Sequence, residues 1–357
     1  LNTKKLTLFF LLVIGALIIS ACTGQPLTNN FPGLAADSER AYISTGSFIY
    51  AVDVQTGSEI WRYPESADSD FLYYANPVLT EDGQLLIGSA GVNHAFISLD
   101  PATGQEKWAQ PFTGAKGAWI ASPLVLNQTI YAPNTDGFLY ILDLNGNQIA
   151  EPIELGGALW SAPVTDGTYI YINSLDHHLH ILDLNAGELV EPINLGGAAP
   201  GSPTIGNGGV YTGSFSSDIK FITPNGKSQI IASASDWIWG TPALDNETLY
   251  YADLSGNIFS LDLTNNRQNW DSLQPDGPIT ASPLVVGDQI YIATEAGSFI
   301  ALDRDGKIVW EKTPGGKIYT TPVLANDLIL VAPYQADFAL AAYDAEGKQA
   351  WTFTPDN

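Results

Sequence analysis

One cysteine, Cys22, serves all 357 residues, so the folded chain has neither a disulfide nor a thiol pair to work with. Stability has to come from packing and strand pairing. Histidine is almost as scarce, with four residues. His177, His178 and His180 sit together, and only His94 lies elsewhere. On a strand His178 and His180 share a face and begin a two-ligand set. With no further histidine or cysteine to complete it, no metal site is expected, and the cluster reads as polar replacement on a strand edge. Positive charge is short too: 14 Lys and Arg against 38 Asp and Glu leave a net of −24. Phosphates are repelled by such a surface, which argues against nucleic acid and against lying on anionic lipid. There is no Gly-x-Ser-x-Gly elbow and no Gly-rich phosphate loop. The single long apolar run, Leu6 to Ile19, has 14 uncharged residues, too few for a comfortable membrane span. Behind it no segment carries an apolar stripe at helical spacing.

Lys4 and Lys5 precede that run, and Ile19-Ser20-Ala21-Cys22 follows it. The order of charge, apolar core and small residues is that of a secretory signal. Its end resembles the lipobox of bacterial lipoproteins, which implies lipidation of Cys22 after removal of residues 1–21. Acyl chains anchor stably because each buried methylene contributes roughly 0.8 kcal/mol. The expected organisation is a signal over 1–21, a lipidated tether over 22–31 and a folded domain over 32–357. The exported part then carries 12 basic and 38 acidic residues, a net of −26. The expected location is the membrane surface reached through the lipid anchor alone. That surface is the outer membrane facing the periplasm in a diderm, or the outer face of the cell membrane in a monoderm.

The folded part repeats. Prolines 32, 77, 123, 163, 203, 242, 283 and 322 each open a β-rich run, and the last five steps are 40, 40, 39, 41 and 39 residues. Each repeat closes on Asp53, Asp100, Asp143, Asp183, Asp262, Asp303 or Asp344, with Thr223 the one departure. Inside residues 122–150 the turn dipeptides Asn127-Gln128, Asp136-Gly137 and Asn145-Gly146 separate short strands, as antiparallel hairpins require. Four-stranded units of about 40 residues in series describe a β-propeller, and eight copies mean eight blades. The first two steps are longer, 45 and 46 residues, which places surface loops at Ser66–Phe71 and Gly91–His94.

A second signature runs Ala51-Val52-Asp53-Val54-Gln55-Thr56-Gly57-Ser58-Glu59-Ile60-Trp61 and recurs at 98–108, then one residue shorter at 303–310 and 344–351. It resembles the tryptophan-docking repeat of the quinoprotein-like propellers, the family that holds the pyrroloquinoline-quinone dehydrogenases and the BamB-like barrel-assembly lipoproteins. The resemblance covers residues 32–354. It implies that Trp61, Trp108, Trp270, Trp310 and Trp351 pack between neighbouring blades over a turn glycine. Ala150, Glu191 and Ile230 stand at that position in the third to fifth repeats, so looser blade contacts, or a covering partner, are expected there. The dehydrogenases of the family are much longer, and many place adjacent cysteines beside their cofactor and build a calcium site from Glu, Asn and Asp. This chain has no such pair or cluster, so neither cofactor nor catalysis is expected.

Three residues before each repeat proline, where the chain reaches the innermost strand near one mouth of the channel, stand Asn29, Tyr74, Ile120, Trp160, Pro200, Trp239, Thr280 and Tyr319. Trp119, Trp237 and Tyr73 are adjacent. Such aromatics either stack on a sugar, a peptide or a planar ligand, or plug the funnel by packing on one another. The leading expectation is a monomeric, non-catalytic scaffold that binds an envelope protein or extended peptide. Its partner would be a BamA-like barrel-assembly component where the cell has an outer membrane. A lipoprotein that binds a small molecule or glycan at the aromatic mouth is the alternative, and a quinone-dependent dehydrogenase the remote one.

Overall fold

The computed structural model describes residues 31–356, so the expectations for the signal, for Cys22 and for most of the tether lie outside the described residues. Those described form eight antiparallel blades in a propeller ring, with strands and turns and no helix among them. In blade 1 the strands are Gly33–Ala36, Arg40–Thr45, Phe48–Asp53 and Glu59–Tyr63, paired in chain order from the inside outward. Blades 3 to 8 repeat the plan, from Leu124–Leu126 to Gln349–Phe353. Blade 2 keeps three strands, Val78–Leu79, Leu85–Gly88 and Phe96–Leu99, and single bridges to Glu106 and Phe112 stand for its outer strand.

The repeat aspartates organise the turn between third and fourth strands. Asp53 Oδ1 accepts from the amides of Gln55 and Thr56 at 3.0 and 2.8 Å, and Asp100 and Asp143 do likewise. Thr223 replaces this with a hydroxyl bond to Asn225 Oδ1. Beyond the turn, blades 1, 7 and 8 carry a bulge that sets the docking tryptophan opposite a small residue: Ala51 faces Trp61, Ala301 faces Trp310 and Ala342 faces Trp351.

Every junction between blades has its own apolar cluster, from Leu34, Ile43 and Leu330 where blade 8 meets blade 1 to Leu139, Leu155, Leu159 and Ile172 between blades 3 and 4. Two girdles of hydrogen bonds add to them. The inner one runs along blades 4 to 8 and uses the residue before the repeat proline: the amides of Ala162, Ser202, Thr241 and Ser282 donate to the hydroxyls of Ser202, Thr241, Ser282 and Thr321 in the next blade, at 2.9 to 3.0 Å. The outer one is indole. Trp61, Trp108, Trp310 and Trp351 donate to the carbonyls of Pro101, Leu144, Ala345 and Val54. Each ring also lies so close over Gly104, Gly146, Gly347 or Gly57 that a Cβ there would come within 2.7 Å of it, and these glycines have φ of +72 to +80°. Trp270 covers Gly306 in the same way, but its indole nitrogen has no partner among the described residues.

The ring closes without exchanging a strand, because each blade is built from contiguous sequence. Trp351 reaching Val54, Thr320 bonding the Pro32 carbonyl and Asn326 bonding the Ser38 carbonyl join blade 8 to blade 1. The expectation of a loose sector across the third to fifth repeats narrows to one junction. Val190 and Ile193 pack over Gly226 between blades 4 and 5, and Ile231 and Leu263 pack into the cluster between blades 5 and 6. Between blades 3 and 4 none of the described residues lies within 4 Å of a Cβ placed on Gly187.

Candidate functional site at the channel mouth

The connector that leads from one blade to the next is held against the central hairpin of the blade it reaches. Backbone bonds from Thr135 to Ala118, Leu175 to Ala158, Phe215 to Ala198 and Leu254 to Trp237 repeat this contact. The approach is tight. A Cβ on Gly157 would lie 2.5 Å from the Asp176 amide, and one on Gly197 2.5 Å from the Ser216 amide, which explains the Gly156-Gly157 and Gly196-Gly197 pairs.

This arrangement gathers the aromatic residues into two groups. In the first, Trp160 meets Trp239 at 6.0 Å between ring centroids, and Phe215 packs on Trp239 at 5.5 Å and stacks on Trp237 at 4.7 Å and 11°. Trp237 is 49% exposed and Trp160 37%, so the ridge offers apolar ring surface to solvent. In the second, Tyr319 packs on Phe31 at 4.3 Å and on Tyr334 at 6.3 Å. Burial, with Tyr334 beside it, pushes the Tyr74 phenol above its ordinary value. The Lys317 ammonium sits 5.9 Å from the Tyr319 ring centroid. Burial raises the Glu295 carboxyl, and Lys317 opposes the shift.

Trp119 is a correction to the sequence-based set. It is fully buried and packs among Phe96, Phe112 and Tyr140, so it belongs to the core between blades 2 and 3 and presents nothing at the mouth. Tyr73 is buried as well, against Tyr63. Phe31, Phe215 and Tyr334 were missed. Phe215 and Tyr334 lie in the central hairpins of their blades, outside the period that marks the connectors, and only the ring brings them there.

The histidines have a structural partner. His180 Nε2 lies 3.2 Å from Asp176 Oδ2, and His178 Nδ1 lies 3.5 Å from Oδ1. In blade 3 the matching pair is Tyr140 donating to Asp136 at 2.8 Å, so His180 stands where another blade has tyrosine. Desolvation holds its pKa below the ordinary imidazole value, against the pull of Asp176. Among the described residues no group of three or more His, Cys, Asp or Glu could hold a metal ion.

The two longer connections are not independent loops. Phe71 and Leu72 pair with Gly91 and Ala90, and the Asn93 amide donates to the Asp70 carbonyl at 3.0 Å, which makes one short ribbon of both insertions. Val92 at its tip is 76% exposed. Two clefts, of about 380 and 370 Å³, lie away from the tryptophan ridge. One is bounded by Pro32, Thr45, Tyr334, Phe338 and Thr354, the other by Arg62, Glu65 and Glu106.

Ring, repeat and indole girdle define the class: an eight-bladed propeller of the quinoprotein-like repeat type. The chain belongs to the family described as outer membrane protein assembly factor BamB, whose profile matches residues 44–272 and 267–357. Among curated relatives, the factor of that name from Bordetella pertussis is 29% identical over 112 residues, 31% of this chain and 28% of the relative's length. The aligned stretch therefore spans less than a third of that relative. Among solved structures, BamB from Moraxella catarrhalis superposes with a TM-score of 0.69 at 17% identity, over 88% of this chain and 91% of the other. The computationally designed Ika8 protein gives 0.72 at 11% identity over 88% and 96%. At these identities the two structures speak for the fold alone.

Proposed function

We propose that the protein is a non-catalytic, lipid-anchored scaffold of the cell envelope that binds another protein during outer-membrane protein assembly. The carrying observation is the family match, which runs along nearly the whole propeller. The geometry is compatible with it: the ring presents exposed aromatic rings and a projecting ribbon. Cys22 is the proposed anchor, and the ribbon of residues 66–72 and 90–94 the proposed specificity element, because insertions on a rigid frame are where partner choice is usually built.

The test is a crosslinked pull-down of the lipidated protein from its own envelope, read by mass spectrometry. Barrel-assembly components are the expected catch, and replacing Ser66–Phe71 or Gly91–His94 by short turns should lose them. Recovery of the protein alone overturns the reading. The exposed ridge of Trp160, Trp237 and Trp239 favours a second reading, a glycan or planar small molecule stacked at the mouth. In that case ligand shifts tryptophan fluorescence, and the double change Trp160→Ala and Trp239→Ala abolishes the shift.

A further inference from the structure

The junction between blades 3 and 4 has neither an indole staple nor an inner-girdle hydroxyl, and keeps only backbone bonds and a small apolar cluster. Its outer residue is Ala150, exposed, where the stapled junctions have a buried or half-buried indole. Gly187, the turn glycine that an indole should cover, is exposed and has open space above it, whereas Gly57 and Gly104 are buried under Trp351 and Trp61. The carbonyl matching Val54, Pro101, Leu144 and Ala345 is that of Leu184, and among the described residues no side chain donates to it. Ala162 interrupts the inner girdle at the same place, because it brings no hydroxyl to the amide of Ser122. No side-chain hydrogen bond crosses from blade 3 to blade 4 among the described residues. Their shared core is four fully buried side chains, Leu139, Leu155, Leu159 and Ile172, the smallest of the eight clusters. Ile149 is 54% exposed and Leu189 41% exposed beside the gap.

From this we infer that the rim of the blade 3–4 junction is an open seat for a tryptophan supplied by an extended segment of the partner. The inference rests on the scaffold reading and says where on the ring a partner engages. What the seat takes is read from the molecule itself. At five other junctions the same turn glycine is covered by an indole, and at four of them the indole N–H meets the carbonyl one residue after the repeat aspartate. Glu151 adjoins Ala150 and Glu188 adjoins Gly187, both exposed, so the segment that delivers the ring carries basic residues. A net charge of −24 weighs against a second copy of this chain as the occupant.

The probe is a fluorescein-labelled peptide copying Lys348 to Phe353, a stretch with one lysine, no acid and the blade 8 tryptophan. It is titrated against the full-length lipoprotein in detergent and followed by polarisation. Saturable binding is expected, weakened at least tenfold when the peptide's tryptophan is alanine, and weakened equally by Ala150→Trp, which fills the seat from within. Ala150→Trp should also raise the melting temperature. If that variant does not fold, Ile149→Asp and Leu189→Asp, which change exposed side chains at the rim, should weaken the peptide to the same degree. No binding, or binding indifferent to Ala150→Trp and to the aspartate variants, overturns the seat. The envelope pull-down separates the two claims. If wild type and Ala150→Trp recover the same partners equally, the seat fails and the scaffold stands. If wild type recovers none, the scaffold reading is what fails.

Discussion

At the scale of single residues the indole girdle makes the sharpest demands. Trp351 is 8% exposed, covers Gly57 and donates to Val54 at 2.7 Å, so its loss leaves a cavity and an unpaired carbonyl at the ring closure. Trp351→Ala should destabilise by about 3–5 kcal/mol, the usual range for a buried aromatic, measured as the urea midpoint. Trp270→Ala should cost less, because its indole N–H makes no bond to lose and the side chain is only half-buried. His180 gives a pH effect of known sign. Burial makes the folded imidazole harder to protonate than the unfolded one, which titrates near about 6.5. Its contribution is therefore complete above that pH and declines as pH falls below it, since the unfolded chain takes up the proton first. His180→Tyr reproduces the Tyr140–Asp136 pair of blade 3 and should flatten the dependence of the urea midpoint on pH between 7 and 5. An unchanged slope would assign the effect to other groups.

At the scale of the element, a blade is a small sheet whose stability depends on its neighbours, and the girdles set how firmly each junction is held. Ala162→Ser should extend the inner girdle by one junction, giving the Ser122 amide an acceptor. A gain of about 0.5–1.5 kcal/mol is expected, seen as a higher urea midpoint with unchanged slope. The same change made where a hydroxyl already sits, Thr241→Ser, should be close to neutral. Strands, turns and period were legible because the repeats carry their own punctuation: proline at the inner strand in all eight, aspartate at the turn in seven, tryptophan at the outer strand in five. The ribbon joining residues 71–72 to 90–91 was not legible, because two insertions far apart in a repeat show no mutual pattern until the blade is folded. Trp119 misled for a related reason. One residue before a mouth position, the connector points the opposite way, and the ring goes into the core.

Across the whole molecule, acids dominate. Asp53 and Asp262 are held below the ordinary carboxylate range by the side-chain hydroxyls of Thr56 and Thr264 and by turn amides. Their contribution is present above the unfolded carboxylate pKa of about 3.9 and is lost as pH falls through the folded value. Both are only partly buried, so the effect of each is small and only Asp53, Asp100, Asp143 and Asp262 together are expected to show, as a falling midpoint below about pH 4. With a net charge of −24, raising salt from low to physiological strength should stabilise the ring by screening self-repulsion, read as a higher melting temperature.

Fold class and blade number were determined by the sequence alone, since a repeated unit states its local geometry eight times over and errors in one copy are corrected by the others. The tertiary structure decided what depends on residues from different blades meeting. It split the expected mouth into a tryptophan ridge and a tyrosine group, sent Trp119 inward and closed the ring through Trp351 on Val54. It also narrowed a three-repeat weakness to the junction of blades 3 and 4. Whether a missing tryptophan leaves a gap depends on what the adjoining blade places opposite it: Val190 and Ile193 fill the space over Gly226, and none of the described residues fills the space over Gly187.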